Sequence, residues 1–253
     1  MDKVKHLHIT ADDVGRYVFL PGDPARCDKI AQHFEAPKLM AFNREYKTIT
    51  GTLLGEKVSV VSTGIGNPSA AIAVEELHML GCDTFIRTGT SGAMQPECMP
   101  GDLGIIKASV RDEGTTKHHM PIEFPAIANL DMVLALLNAA KNLGFRSHVG
   151  ISHCKDSFYG QMKPEEMPVA SELLQRWNAW VRGGVLCAEM ESATLFTLGA
   201  IYRLRTASIV LLAMNHEYPH LQAVTDVEPV ILTAIEAMKT IIKEDQIKEH
   251  AQP

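Results

Sequence analysis

Three arginines stand beside turns of small residues: Arg26 in "PGDPAR" (21–26), Arg44 in "NRE" (43–45) and Arg87 in "RTGTSG" (87–92). A planar guanidinium fork next to backbone N–H groups at the start of a helix suits a tetrahedral oxyanion. Gly22 lets the backbone come close to such an anion. The Arg87 segment has glycines and hydroxyls, as phosphate cradles do, but lacks the lysine of a nucleotide-binding P-loop. Any one of these arginines alone reads as a surface ion pair. Three beside glycine-rich turns at strand ends read as an anion site.

A second group of residues suits a sugar. In "CAEMESATLF" (187–196), Glu189 and Glu191 are two apart. On a helix that spacing turns them in different directions and excludes a catalytic carboxylate pair. An ionised carboxylate can accept two hydroxyl hydrogen bonds at once, which fits a cis-diol, and Met190 offers an adaptable apolar surface for a sugar face. Taken alone, "EMES" is a helix start with acids favoured by the dipole.

Two other motifs lead elsewhere. In "STGIGNPS" (62–69), Ser69 stands where the dinucleotide fingerprint needs its third glycine, which leaves a nicotinamide dehydrogenase as a minor rival. "HEYPH" (216–220) satisfies the letter of the zinc-protease pattern. Pro219 inside it breaks the helix that this chemistry requires. His118–His119 read as a loop pair and His78/Cys82 as a helix face, not as metal sites.

Alternating strand and helix patterns must carry these residues. Mostly apolar runs at 17–20, 58–62, 84–88, 103–109, 148–152 and 207–214 read as strands, several of them covered on both faces. Helical patterns lie over 24–33, 68–80, 130–143, 167–179, 189–202 and 228–244. Pro68 suits a first turn and Gly81 an end. The alternation implies an α/β fold with a mostly parallel or mixed sheet between helices, whose ligands bind beyond the carboxyl ends of the strands. No repeat or linker divides the chain, so residues 1–253 are expected to form one domain. The segment 110–130 is expected to be a functional loop.

A net charge of -6 over 253 residues argues against nucleic acid or a membrane surface as partner. The N-terminus shows no apolar signal region, and no run approaches the ~18 apolar residues of a membrane span. Five scattered cysteines without CxxC spacing fit reduced thiols in a cytoplasm.

In order along the chain, "PGDPAR", "NREY", "STGIGNPSAAIAVEEL", "RTGTSGAMQP", "EFPA", "FYGQ" and "EMESATLF" resemble the nucleoside phosphorylase family over about residues 5–245. Within it the chain is most similar to the members that cleave uridine. The resemblance implies a nucleoside phosphorylase-type fold, a single domain with a mixed sheet, partly barrel-like, flanked by helices. It implies reversible phosphorolysis of uridine, and of deoxyuridine or thymidine, to uracil and the pentose 1-phosphate in pyrimidine salvage. The anion is then inorganic phosphate, a co-substrate, and no cofactor is required.

By this resemblance Gly22, Arg26, Arg87 and Thr90 bind phosphate, and Arg44 reaches in from a neighbouring subunit. Glu191 takes the ribose 2′- and 3′-hydroxyls, with Met190 and Thr90 beside the sugar. His6 reaches the 5′-hydroxyl across a dimer interface, with His8 as its competitor. Gln161 pairs with the O2 and N3–H edge of uracil and Phe158 walls the base, while Ser91, Gly92 and Glu189 complete that end. A homo-oligomer follows, with the dimer as active unit and a hexamer as the whole. So does a site for a monovalent cation, K+, between subunits at Glu45, the Ile65 carbonyl and Ser69.

The chemistry is positioning plus electrostatics: breaking the C–N bond builds positive charge on the ribose and negative charge on the base. Purine members of the family carry an aspartic acid that protonates N7; Asn215 stands there and cannot, which favours pyrimidines. Two departures leave a purine or broad-specificity enzyme as the alternative. Lys163 replaces an arginine beyond Gln161, and His216 replaces another after Asn215; lysine is a point donor without a planar fork. A binding protein without turnover would not need a full phosphate site.

Overall fold

The computed structural model describes residues 3–251. At its centre, β1 (Tyr17–Pro21) runs parallel to β4 (Glu56–Val61) on one side and β5 (Thr84–Ala93) on the other. Beyond β4, the antiparallel strands β3 (Tyr46–Leu53) and β2 (Glu35–Asn43) carry the sheet to its edge. On the far side β5 pairs with both β10 (Arg205–Asn215) and β9 (Cys187–Glu189). β6 (Leu103–Asp112) and β8 (Ser147–Lys155) bridge these two, so β5, β10, β6, β8 and β9 close on one another. The result is a single α/β domain whose mixed sheet is a five-stranded barrel with a flat extension. A two-residue strand, β7 (Ala126–Ile127), is added to β6.

Helices cover the sheet: α1 (Pro24–Ala31), α2 (Asn67–Met79), α3 (Leu130–Asn142), α5 (Ala170–Arg182), α6 (Ser192–Tyr202) and α7 (Glu228–His250), with a short α4 (Phe158–Met162) before α5. α3 packs on α7, and α2 on α6. Residues Ser192–Gly199 of α6 are all buried, as expected of a helix apolar all round. No helix among the described residues is long and apolar enough to cross a membrane.

All six strands and six helices read from the apolar patterns are present, with shifted ends. β2, β3, β7, β9 and α4 are additions. The segment "RTGTSG" is not a loop after a strand but the second half of β5, hydrogen-bonded along its length to β10. Its glycines are sites of close approach: a methyl on Gly89 would crowd Val210, and one on Gly92 would collide with the His216 ring. The helix expected over 189–202 begins at Ser192, because Cys187–Glu189 pair with β5 and β8 instead. The segment 110–130 is largely scaffold. The buried Arg111 guanidinium donates to the carbonyls of Thr116, Met120, Pro121 and Phe124, which ties the loop to β6.

Candidate active site

The site forms where β1, β5, β8, β9 and β10 end. β1 gives way to Gly22, where a Cβ would stand 3.0 Å from the Gly64 carbonyl oxygen, so the two turns meet backbone to backbone. Asp23 caps α1 by accepting from the Ala25 N–H at 2.9 Å, which fixes the turn that carries Arg26. Arg26 Nη1 donates to the Thr88 carbonyl at 2.9 Å. Arg87 donates through Nη2 to Glu191 in a buried ion pair, while its Nε and Nη1 are buried without a protein partner. Burial lowers the pKa of Arg26, and the charge of Arg87 lowers it further. Two guanidinium groups and open donors in one space call for an anion.

Glu191 lies beside them. One carboxylate oxygen accepts the Gly66 N–H at 2.8 Å and the other accepts Arg87. Gly66 holds φ at 98° as the residue before α2, a conformation that favours glycine. The start of α2 thus turns a backbone donor toward a carboxylate rather than a pyrophosphate, which answers the dinucleotide reading. Burial pushes the Glu191 carboxyl up, against the opposing pull of Arg87. The oxygen that takes Arg87 also accepts the Met190 N–H at 3.3 Å, so the oxygen on Gly66 keeps a lone pair for a hydroxyl.

At the other end α4 presents Gln161, whose side-chain nitrogen is 3.0 Å from His216 Nε2. Trp177 meets the His216 ring edge-on at 4.9 Å. Burial, and then the charge of Lys155, lower the pKa of His216. The imidazole is therefore neutral at pH 7, and an amide N–H donated to Nε2 leaves the ring proton on Nδ1. "HEYPH" forms turns rather than a helix.

One cavity of about 820 Å3 joins the two ends, from Gly22, Arg26 and Arg87 past Glu191 to Gln161 and His216. A tetrahedral anion at the arginines, a diol at Glu191 and a planar ring at Gln161 would lie along it in that order. The sequence matches the Phosphorylase superfamily over residues 16–244. The chain belongs to that superfamily. It is 49% identical over 245 residues to a uridine phosphorylase of Treponema pallidum, with 95% of each chain covered. It is 39% identical to a uridine phosphorylase of Escherichia coli, over 95% of this chain and 96% of that one. A guanosine phosphorylase of Halorubrum lacusprofundi is 38% identical over 83% of this chain and 82% of its own.

In this member of the superfamily, Thr90, Ser91, Gly92, Phe158, Met190 and Glu189 also line the cavity, as do Glu45 and Ile65. Glu189 also has a structural task. Its carboxylate accepts Ser152 Oγ and the N–H groups of Glu191 and Ser192, so it caps α6 and fixes the backbone of Glu191. Ser91 Oγ donates to the Ala188 carbonyl at 2.7 Å, bracing β9.

Two residues expected at the base are turned elsewhere in this structure. Lys163 is half exposed and pairs with Glu166 at 2.9 Å, because it follows the single turn of α4 on the solvent side. Asn215 is buried, but its amide nitrogen donates to the Gln95 and Cys98 carbonyls and its oxygen accepts the Glu217 N–H. It builds the wall behind the site and does not line the cavity.

His6 and Arg44 also lie away from this chain's cavity. His6 Nδ1 meets Glu76 at 2.6 Å. Arg44 is exposed at the tip of the two-residue turn between β2 and β3, with φ at 54°. Ser69 Oγ donates to Glu45 at 2.7 Å, and that bond holds the Glu45 carboxyl below the usual range.

Sequence reasoning missed Lys155, the last residue of β8, which lines the cavity. It sits one residue ahead of "DSFYGQ" in no recognisable motif. The signal available was a charge at the end of a strand in a fold that binds ligands there.

Proposed function

We propose that this chain is a uridine phosphorylase, a pentosyltransferase that converts uridine and phosphate to uracil and ribose 1-phosphate, reversibly. The observation that carries this reading is Arg87: a buried guanidinium with one nitrogen on Glu191 and two nitrogens open, next to Arg26. Relatives at up to 49% identity that carry the uridine phosphorylase name support it. Phosphate held by Arg26, Arg87 and the Gly22 turn would stand at the ribose, whose 2′- and 3′-hydroxyls Glu191 accepts. The phosphate then stabilises the developing cation at C1′ and attacks it, with no covalent enzyme intermediate. Gln161, anchored by a neutral His216, presents its amide oxygen to uracil N3–H.

Arg44 and His6 support a dimer as the active unit, since both would complete a neighbour's cavity. We hold a hexamer, pyrimidine salvage and a cytoplasmic setting as parts of the same reading. Glu45, Ser69 and the Ile65 carbonyl bring oxygen donors together, which fits one subunit's share of a K+ site. No cofactor enters this chemistry.

A broader base range is the second reading. Asn215 stands outside the cavity, so it raises no direct barrier to a purine, and a guanosine phosphorylase is among the relatives. The test is an assay of uridine, thymidine, inosine and guanosine, each with and without phosphate. Phosphate-dependent cleavage with uridine well ahead supports the first reading; inosine or guanosine equal to uridine supports the second. Cleavage independent of phosphate would remove both.

A further inference from the structure

Lys155 is 7% exposed at the carboxyl end of β8, and among the described residues its ammonium makes no ion pair or hydrogen bond with the protein. The carboxylates around it are engaged elsewhere. Glu189 holds Ser152 and the start of α6, and Glu191 holds Arg87. Asp112 holds His153 and Arg176, and Asp156 holds Asn67 and the Gly114 N–H. The Lys155 stem is buried and its charge opens only on the cavity, where a ligand can supply the missing partner.

Strand alternation decides where it points. Cys154 faces Asn67 in the core, so His153 and Lys155 face the opposite side. There a second cavity of about 410 Å3 adjoins the first, and Lys155, Gln161 and His216 are the residues lining both. Gln161 and His216 are neutral groups, and Lys163 is turned to Glu166 at the surface. Arg176 lines the second cavity as well, but is paired with Asp112 and Glu172, so Lys155 is the cation left without a protein partner among the described residues lining both cavities.

We propose that Lys155 is a catalytic residue for the leaving base: its ammonium hydrogen-bonds a uracil carbonyl oxygen and stabilises the negative charge that grows there. As the C1′–N1 bond breaks, its electron pair passes to the base and spreads onto the carbonyl oxygens, while a phosphate oxygen forms the new bond to C1′. Lys155 keeps its proton; N1 takes one from solvent after the base departs. Burial lowers the pKa of Lys155, while Glu189 draws it back up.

This rests on the uridine reading, and the experiment separates the two. Lys155→Met keeps the stem and removes the charge. Both wild type and variant are assayed on uridine and on 5-fluorouridine, whose base is the better leaving group. The variant should lose about 10- to 100-fold in kcat on uridine, the scale of one charge-assisted contact. It should lose less on 5-fluorouridine and keep its KM for phosphate, while Lys155→Arg recovers part of the loss. Equal losses on both substrates, or uridine turnover within about twofold of wild type, would overturn the proposal. Lys155→Gln serves if the methionine variant fails to fold. Should the wild type leave uridine intact, the uridine reading falls and this role with it; an active wild type with an indifferent variant removes Lys155 alone.

Discussion

Arg87 and Glu191 form a buried ion pair in which Arg87 keeps two unpartnered nitrogens. On the proposed function one group would serve the anion and the sugar together, and its loss should be felt in stability as well as rate.

Arg87→Ala removes a charge-assisted phosphate contact worth roughly 1.5–3 kcal/mol, about one to two decades in kcat/KM. It also leaves Glu191 buried and unpaired, at a cost of about 3–5 kcal/mol. Urea unfolding should show that loss. The double variant Arg87→Ala/Glu191→Gln should regain part of the stability and none of the activity. An unchanged phosphate KM in the single variant would place the anion elsewhere.

Gly92→Ala tests the packing of β5 against the base end. The added methyl collides with the His216 ring, and overpacking of this kind costs roughly 1–3 kcal/mol. Uridine KM should rise with little change in phosphate KM. An unaltered uridine KM would mean that His216 does not fix Gln161 in the working enzyme.

Asn215→Ala and Lys163→Ala should behave in opposite ways. The first leaves the Gln95 and Cys98 carbonyls without their donor, which costs about 1–3 kcal/mol in thermal or urea unfolding. The second removes an exposed ion pair and should stay within roughly 0.5 kcal/mol in stability. Its uridine kcat/KM should be close to wild type. A large activity loss in Lys163→Ala would bring α4 inward in the bound state.

These contrasts show where the sequence was legible. The apolar strands β1, β5 and β10 announce themselves because both faces are buried, although Arg87 lies within β5 and not beyond its end. β2 was hidden by Pro37 and by its exposed residues at the sheet edge. β9 is three residues long and owes its existence to partners on both sides, so no local pattern could reveal it. Asn215 and Lys163 were placed at the base by family position, and only the fold shows which way each side chain turns. Lys155 was missed because its meaning comes from what fails to pair with it.

The His216 ring should titrate below the ordinary histidine value of about 6.5, since burial, and then Lys155, oppose its charging. The unfolded chain binds the proton more readily, so this group's contribution to stability is full above about pH 6.5 and falls as pH drops through that value. NMR of the ring Cε1–H, assigned by its loss in His216→Gln, should give a midpoint below 6.5. A midpoint above it would mean a charged ring beside Gln161, and the amide would have to turn its oxygen to the imidazole.

The most direct measurement is 31P NMR of the protein with uridine and inorganic phosphate. Ribose 1-phosphate should appear in step with uracil, one for one, with no uracil released when phosphate is left out. Uracil released with free ribose and an unchanged phosphate signal would contradict the account, because the open donors of Arg87 would then hold something other than the attacking group.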